Sequence, residues 1–413
     1  MTGGDTQVAV IGGGAAGVAA GRRLRAAGIE CLVIEARSRL GGRAWTVNAQ
    51  GFALDLGCGW LHSADRNPWV KVAEEQGHTV DRTPPPWMRP ALTIGFSLEE
   101  QISYRNALEA FHERISAAAK NEPDTAASAL LEPGCRWNNL INGVNTYISG
   151  AETDRVSVRD FDNYDDSGVN WRVIEGYGST IAGAGVDLSI VLDNPVRRID
   201  HSGKRLKIET AKGVFNADQV IVTLPSTVIA ESENLFAPAL PEKTQAAENL
   251  PLGLADKLFM SLDSAEEFEK DSRLWGDNDR TGTATYHLRP FGRPLIEAYF
   301  GGRHAAELEA AGEGAFFDFA VSELVALFGS DFARRIKPVQ IHPWGADPFA
   351  RGSYSYAKPG KTDCRAILAA PVNDRLFFAG EACSRNDFST AHGGWLTGAA
   401  AADEVIAVRQ RKR

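Results

Sequence analysis

Cysteine is scarce in this chain: Cys31, Cys58, Cys135, Cys364 and Cys383 are all there is in 413 residues. The five are odd in number and scattered, with no C-x-x-C and no histidine pair at ligand spacing. The pattern therefore argues against a disulfide framework and indicates no metal centre, and reduced thiols in a cytoplasmic compartment are expected. Long apolar runs are missing too. None approaches the ~20 residues that cross a bilayer, and the opening MTGGDTQ has no basic region, apolar core or twin arginine, so no export signal is read. The final Arg409-Gln-Arg-Lys-Arg413 reads as a solvated helix end. Positive charge is in deficit: 44 Lys and Arg against 53 Asp and Glu leave a net charge of −9, which argues against generic nucleic-acid binding and favours solubility. There is no internal repeat, low-complexity tract, coiled coil or basic arm. Nor is there a G-x-S-x-G elbow, a Ser/His/Asp set, or a second glycine-rich fingerprint for a nicotinamide cofactor.

What the chain does have is concentrated in its first forty-odd residues. Residues 8–11 (VAVI) form a short β-branched run followed at once by Gly12-x-Gly14-x-x-Gly17 and then by an Ala/Leu/Arg segment of helical period. A strand, a tight turn and a helix are predicted. In that arrangement Gly12 permits the turn, Gly14 lets backbone approach a pyrophosphate, and Gly17 lets helix and strand pack closely. Ala15 and Ala16 open the helix whose free N–H groups face the phosphates. A second strand over residues 31–34 ends in Glu35, placed to accept ribose hydroxyls, with Ala36 and Arg37 after it. Two glycines and an arginine follow in Arg39-Leu40-Gly41-Gly42-Arg43, which can track the phosphates towards a flavin. The site is read as one for FAD.

At this point the chain resembles the flavin-dependent amine oxidase family, which includes monoamine and polyamine oxidases, and the resemblance recurs along most of its length. It implies an α/β fold: a doubly wound FAD-binding domain with an inserted α+β substrate-binding domain. The FAD-binding segments are expected at 1–88, 171–228 and 351–413, and the substrate segments at 89–170 and 229–350. Residues 51–62 (GFALDLGCGWLH) resemble the segment beside the flavin ring, which makes Gly57, Gly59 and Trp60 flavin-pocket candidates; His62 reads as a packed or exposed loop residue. The residue matching Val196 meets the adenine through its backbone in the family, and Glu381, after Gly380, matches the acid near the ribityl and pyrophosphate portion. Leu396 joins the cofactor set from the closing helix, expected to run from residue 395 to 408.

Three residues carry the expected catalysis. Lys257 lies in a segment resembling the one whose lysine holds a water against flavin N5. Tyr354, in Gly352-Ser353-Tyr354, looks like the tyrosine that stands perpendicular to the flavin, with Tyr356 in reserve. Trp395 falls where the resemblance implies a second cage aromatic. Monoamine oxidases carry a flavin-linked cysteine where this chain has Ser353, so non-covalent FAD is expected. Residues 160–166 (DFDNYDD) read as a solvated acidic loop, with lining of an entrance for cations as the alternative. The implied activity is oxidation of an amine to an imine by hydride transfer to N5, with O2 returning the flavin to its oxidised form and giving hydrogen peroxide. The expected partners are a small amine and O2, with no nucleic acid and no membrane; a homodimer is left open. Two alternatives stand beside this reading: an FAD-dependent desaturase or porphyrinogen-type oxidase, and a non-catalytic flavin-stabilised interaction protein.

Overall fold

Val8 and Val10 face one core while Ala9 and Ile11 face another, which is what a strand buried on both sides requires. A computed structural model describes residues 3–411; of the expected solvated helix end, Lys412 and Arg413 lie outside the described residues. The first strand, Gly3–Ile11, pairs in parallel with Cys31–Ile34 on one side and with the long strand Gly213–Val222 on the other. Ile190–Val191 extends the sheet beyond Cys31–Ile34. The long strand serves two partners along its far edge: Leu206–Thr210 runs antiparallel to its first half, and Leu376–Phe378 lies parallel to Val220, Ile221 and Val222. The helices Ala15–Ala26 and Ala391–Arg411 cover one face, and Pro241–Glu248 and Cys364–Ala369 cover the other. This is a doubly wound α/β layer.

The second sheet is wholly antiparallel, in the order Ser272–Trp275, Thr285–Leu288, Leu295–Gly301, Ala255–Leu262, Ile336–Ile341. Alternation divides its residues. Leu258, Met260, Leu274, Leu288, Ile296 and Ala298 enter a core roofed by the helices Gly302–Ala311 and Glu313–Phe328. The opposite face carries Lys257, Arg273, Trp275, Thr285, His287, Glu297 and Tyr299. Over it stands a helical layer that includes Leu98–Ala118 and Asn138–Ser149. The longer helix is started by a reciprocal cap, in which the Ser97 hydroxyl accepts from Glu100 N and the Glu100 carboxylate accepts from Ser97 N.

The expected change of domain at residue 229 is not where the packing changes. The strand Phe236–Ala237 joins the first sheet, and Ala246, Ala247 and Leu250 lie in that sheet's core. The chain leaves that core only at Pro251, before Leu252–Gly253 pairs with Tyr354–Ser355.

Candidate active site

The turn after the first strand is made by Gly12 at φ +105, and a Cβ on Gly17 would sit 1.9 Å from the Gly12 carbonyl oxygen. Glycine at 17 therefore sets how closely helix and strand approach. Gly14 begins the helix and no side chain caps it, which leaves the first-turn N–H groups open to the cavity lined by Ala15 and Ala16. Gly41 N donates to Gly13 O at 2.9 Å, bringing Gly42 and Arg43 over the helix start. Glu35 is 4 % exposed; its carboxylate accepts from Gly13 N at 2.6 Å and Arg37 N at 2.8 Å, with lone pairs to spare. Arg37 is paired with Asp347 at 2.6 Å. Burial alone would raise the Asp347 carboxyl, but His342 and Arg37 hold it well below the usual carboxylate range.

From this cradle one continuous cavity of about 1140 Å³ runs past Arg43, Gly57 and Gly59 to the polar face of the second sheet. Lys257 Nζ donates to the Asp55 carbonyl at 3.0 Å and meets Glu297 Oε1 at 3.0 Å. A Cβ on Gly59 would approach that ammonium to 3.1 Å, so glycine there leaves the lysine its place. Behind Lys257 the charges alternate. Glu297 lies 3.6 Å from His287 Nδ1, His287 Nε2 is 3.0 Å from Asp271, and Asp271 is 2.9 Å from Arg172, which also meets Asp81 at 2.8 Å. Burial works against ionisation of Glu297, yet Lys257, His287 and Tyr299 outweigh it and hold the carboxyl down at about 2. Tyr354 closes the cavity from the other side, its hydroxyl donating to the Tyr147 carbonyl. Burial pushes that phenol up, so it stays protonated.

Gly12, Gly14, Ala15, Ala16, Glu35, Ala36, Arg37, Gly42, Arg43, Gly57, Gly59, Trp60, Val196, Gly380, Glu381, Lys257 and Tyr354 all line this one cavity. Gly17 acts behind the wall, in helix packing. Trp395 and Leu396 require correction. The closing helix begins at Ala391, so residue 395 is a full turn inside it. Trp395 packs edge-on against Trp69 at 4.6 Å, and Leu396 is 45 % exposed. Thr390, Ala391 and Gly394 form the wall at this helix end, and Tyr164 is a further aromatic residue lining the cavity. Tyr356, the reserve candidate, is buried beside Ala151 and Val156 in a separate core. Of the acidic loop, Asp160 is buried in a two-pronged pair with Arg365 at 2.7 and 2.8 Å and Asp165 pairs with Arg66 at 2.8 Å, while Asp166 lines the cavity. His62 lines the cavity, held by Asn170 at 2.6 Å. Glu297, His287, Asp271 and Arg273 were absent from the sequence reading. The only signal for Glu297, His287 and Arg273 is alternation within short strands, and Asp271, just before the strand Ser272–Trp275, has none.

The family model for flavin containing amine oxidoreductase matches residues 111–406, and that for an NAD(P)-binding Rossmann-like domain matches residues 10–75. The chain belongs to the flavin-containing amine oxidoreductases. Similar proteins in this family's range include Polyamine oxidase 4 of Oryza sativa subsp. japonica, 28 % identical over 96 % of this chain and 88 % of the relative. Polyamine oxidase 2 of Arabidopsis thaliana is 28 % identical over 96 % and 87 % of the two chains. A lysine-specific histone demethylase 1 homolog of rice is 28 % identical over 97 % of this chain but 57 % of its own length. A solved putrescine oxidase variant shares the fold, with a TM-score of 0.77, 17 % identity and coverage of 98 % and 99 %.

This flavin-containing amine oxidoreductase is an FAD-dependent oxidoreductase of amines, and its cradle fits the cofactor. The glycine turn, the uncapped helix start and the buried Glu35 form a run of small residues and free donors of the kind a dinucleotide needs. When bound, FAD supplies a two-electron acceptor for carbon–hydrogen oxidation. Glu381 fixes the neighbouring walls: it accepts from Arg43 at 2.9 Å, from the Ser355 hydroxyl at 2.6 Å and from Ser389 N at 2.9 Å. Ser353 Oγ is turned back onto Ala255, donating to its carbonyl at 2.8 Å and accepting from its N–H at 2.9 Å. The cavity-lining thiol is Cys58, and burial pushes it up to about 12, which keeps it a poor nucleophile. No helix among the described residues is long and apolar enough to cross a membrane.

Proposed function

We propose that the enzyme oxidises a small amine bound between Tyr354 and the sheet face carrying Lys257, with O2 as electron acceptor and hydrogen peroxide as product. The observation that carries this reading is the single cavity joining the dinucleotide cradle to Lys257. Gly12, Gly14, Ala15, Ala16 and Arg43 hold the diphosphate, Glu35 the ribose, and Val196 borders the adenine. Lys257, fixed by Glu297 and the Asp55 carbonyl, holds a water at the reacting end. Tyr354 and Tyr164 orient an unprotonated amine and keep bulk water away. FAD is retained without a covalent link, because Ser353 offers a hydrogen-bonded hydroxyl where a thiol would be needed. Two units divide the work, with the second crossover between them at Pro251. The polyamine and putrescine oxidases among its relatives suggest aliphatic amines as substrates.

The test is an anaerobic screen of amines against the yellow holoenzyme, followed by flavin absorbance. Bleaching by at least one amine, and recovery of the colour with peroxide on admitting air, are expected; no bleaching by any amine sinks the reading. Acid precipitation should leave the yellow colour in solution. Colour kept in the pellet would direct attention to Cys58.

A further inference from the structure

One wall of the cavity carries a cation that pairs with no acid among the described residues. Arg273 projects from the Ser272–Trp275 strand and stacks on the Trp275 ring at 3.8 Å. Its one side-chain hydrogen bond among the described residues runs from Nε to Thr285 Oγ1, at a long 3.5 Å. Burial pushes its pKa down to about 10, and the groups that oppose this are the phenols of Tyr104 and Tyr147, with no carboxylate among them. Arg172, Arg43 and Arg37, in and around the cavity, are matched, by Asp81 and Asp271, by Glu381 and by Asp347; Arg89 and Arg105 also line the cavity without an ion pair among the described residues, but both are exposed and already hydrated. Beside Arg273 is a second unspent group. Tyr104 is 6 % exposed and lines the same cavity, and its buried hydroxyl has no hydrogen-bond partner.

A half-buried guanidinium without a counter-charge is costly, and its planar fork matches a carboxylate in two-pronged fashion. We propose that Arg273 and Tyr104 receive a carboxylate of the substrate, so that the enzyme prefers an amine carrying an acid group at its far end over a diamine or polyamine. This rests on the amine oxidase reading above, which puts the reacting end at Lys257. The sheet sets the separation. Two strands lie between those of Lys257 and Arg273, so the backbones are three spacings, or about 14 Å, apart. Stacking on Trp275 keeps the guanidinium over its own strand. An acid next to the oxidised carbon would not bridge this distance, whereas a carboxylate several methylenes away does. A second ammonium in the same place would meet Arg273 as a like charge.

The experiment compares 6-aminohexanoate with hexane-1,6-diamine in anaerobic reduction of the holoenzyme, and measures binding of hexanoate by calorimetry as a readout independent of turnover. The amino acid should reduce the flavin at least about tenfold more efficiently than the diamine, as expected for one charge-assisted pairing. Arg273→Gln should weaken hexanoate binding by about ten- to a hundredfold and reverse the preference, while Arg273→Lys keeps part of both. Tyr104→Phe, which removes a single oxygen, should weaken hexanoate a few-fold. A wild-type preference for the diamine overturns the proposal. So does unchanged hexanoate affinity in a folded, FAD-loaded Arg273→Gln variant. If hexanoate binds through Arg273 but no amine of either kind reduces the flavin, the oxidase reading fails and the acid site stands. If amines reduce the flavin and hexanoate does not bind, the acid site fails alone.

Discussion

Lys257 is held at its tip by a carbonyl and a carboxylate together, so its position does not depend on its own flexible stem. Lys257→Met should leave FAD bound but slow flavin reduction or reoxidation markedly in rapid-mixing measurements; unchanged rates of both would remove Lys257 from the chemistry. Glu297 adds a pH dependence. Its carboxyl titrates near 2 in the folded protein against an ordinary 4.5, so its contribution to stability is fully present above about 4.5 and is lost as pH falls towards 2. Urea midpoints should fall between pH 5 and pH 3, and Glu297→Gln should show a shallower fall. The same substitution strands Lys257 and should cost about 3 kcal/mol at pH 7; an unchanged acid slope would mean that other carboxylates dominate. Glu35, Gly59 and Lys257 lie on the cavity wall, Glu35 where the strand and glycine pattern put it and the other two where the family resemblance did. Glu297, His287 and Arg273 were not legible in the sequence, because they meet only through lateral pairing of strands far apart in the chain.

At the level of elements, the closing helix shows how a small boundary error moves a residue out of a site. Residues 391–394 (AHGG) look like a loop by composition, since two glycines are poor helix formers. They form the first turn of a helix that lies close against the first one, where glycine is required further along: a Cβ on Gly398 would come within 2.1 Å of the Ala16 carbonyl oxygen. Trp395 is thereby carried away from the cavity and onto Trp69. Trp395→Ala should cost about 3 kcal/mol of stability, read from urea denaturation, with the rate of flavin reduction little changed. A large loss of rate without loss of stability would return Trp395 to the active site. Gly398→Val should cost about 1–3 kcal/mol and also weaken FAD, because the displaced partner is the first turn of the phosphate-facing helix. Fluorescence titration of the apoprotein checks the second part. The glycine turn and both flanking strands were readable from periodicity; the crossover at Pro251 was not, because Phe236–Ala237 is too short a strand to announce itself.

At the scale of the whole molecule, the cavity has walls from both sheets, so a ligand that fills it should hold them together. FAD added at 100 times its dissociation constant should stabilise the fold by about 2.7 kcal/mol, seen as a rising melting temperature of the apoprotein; a melting temperature indifferent to FAD would mean that the cradle is not intact without it. The first sheet carries a further consequence. Its long strand Gly213–Val222 takes one neighbour from nearby, Leu206–Thr210, and another, Leu376–Phe378, from far along the chain. During synthesis the edge at Val220, Ile221 and Val222 stays open until the ribosome has passed residue 378 and released it. For all that time the nascent protein carries an apolar edge open to wrong pairing. Stalled chains ending before residue 376 should accordingly be cut readily by protease near residue 220, and chains extended past 411 should resist.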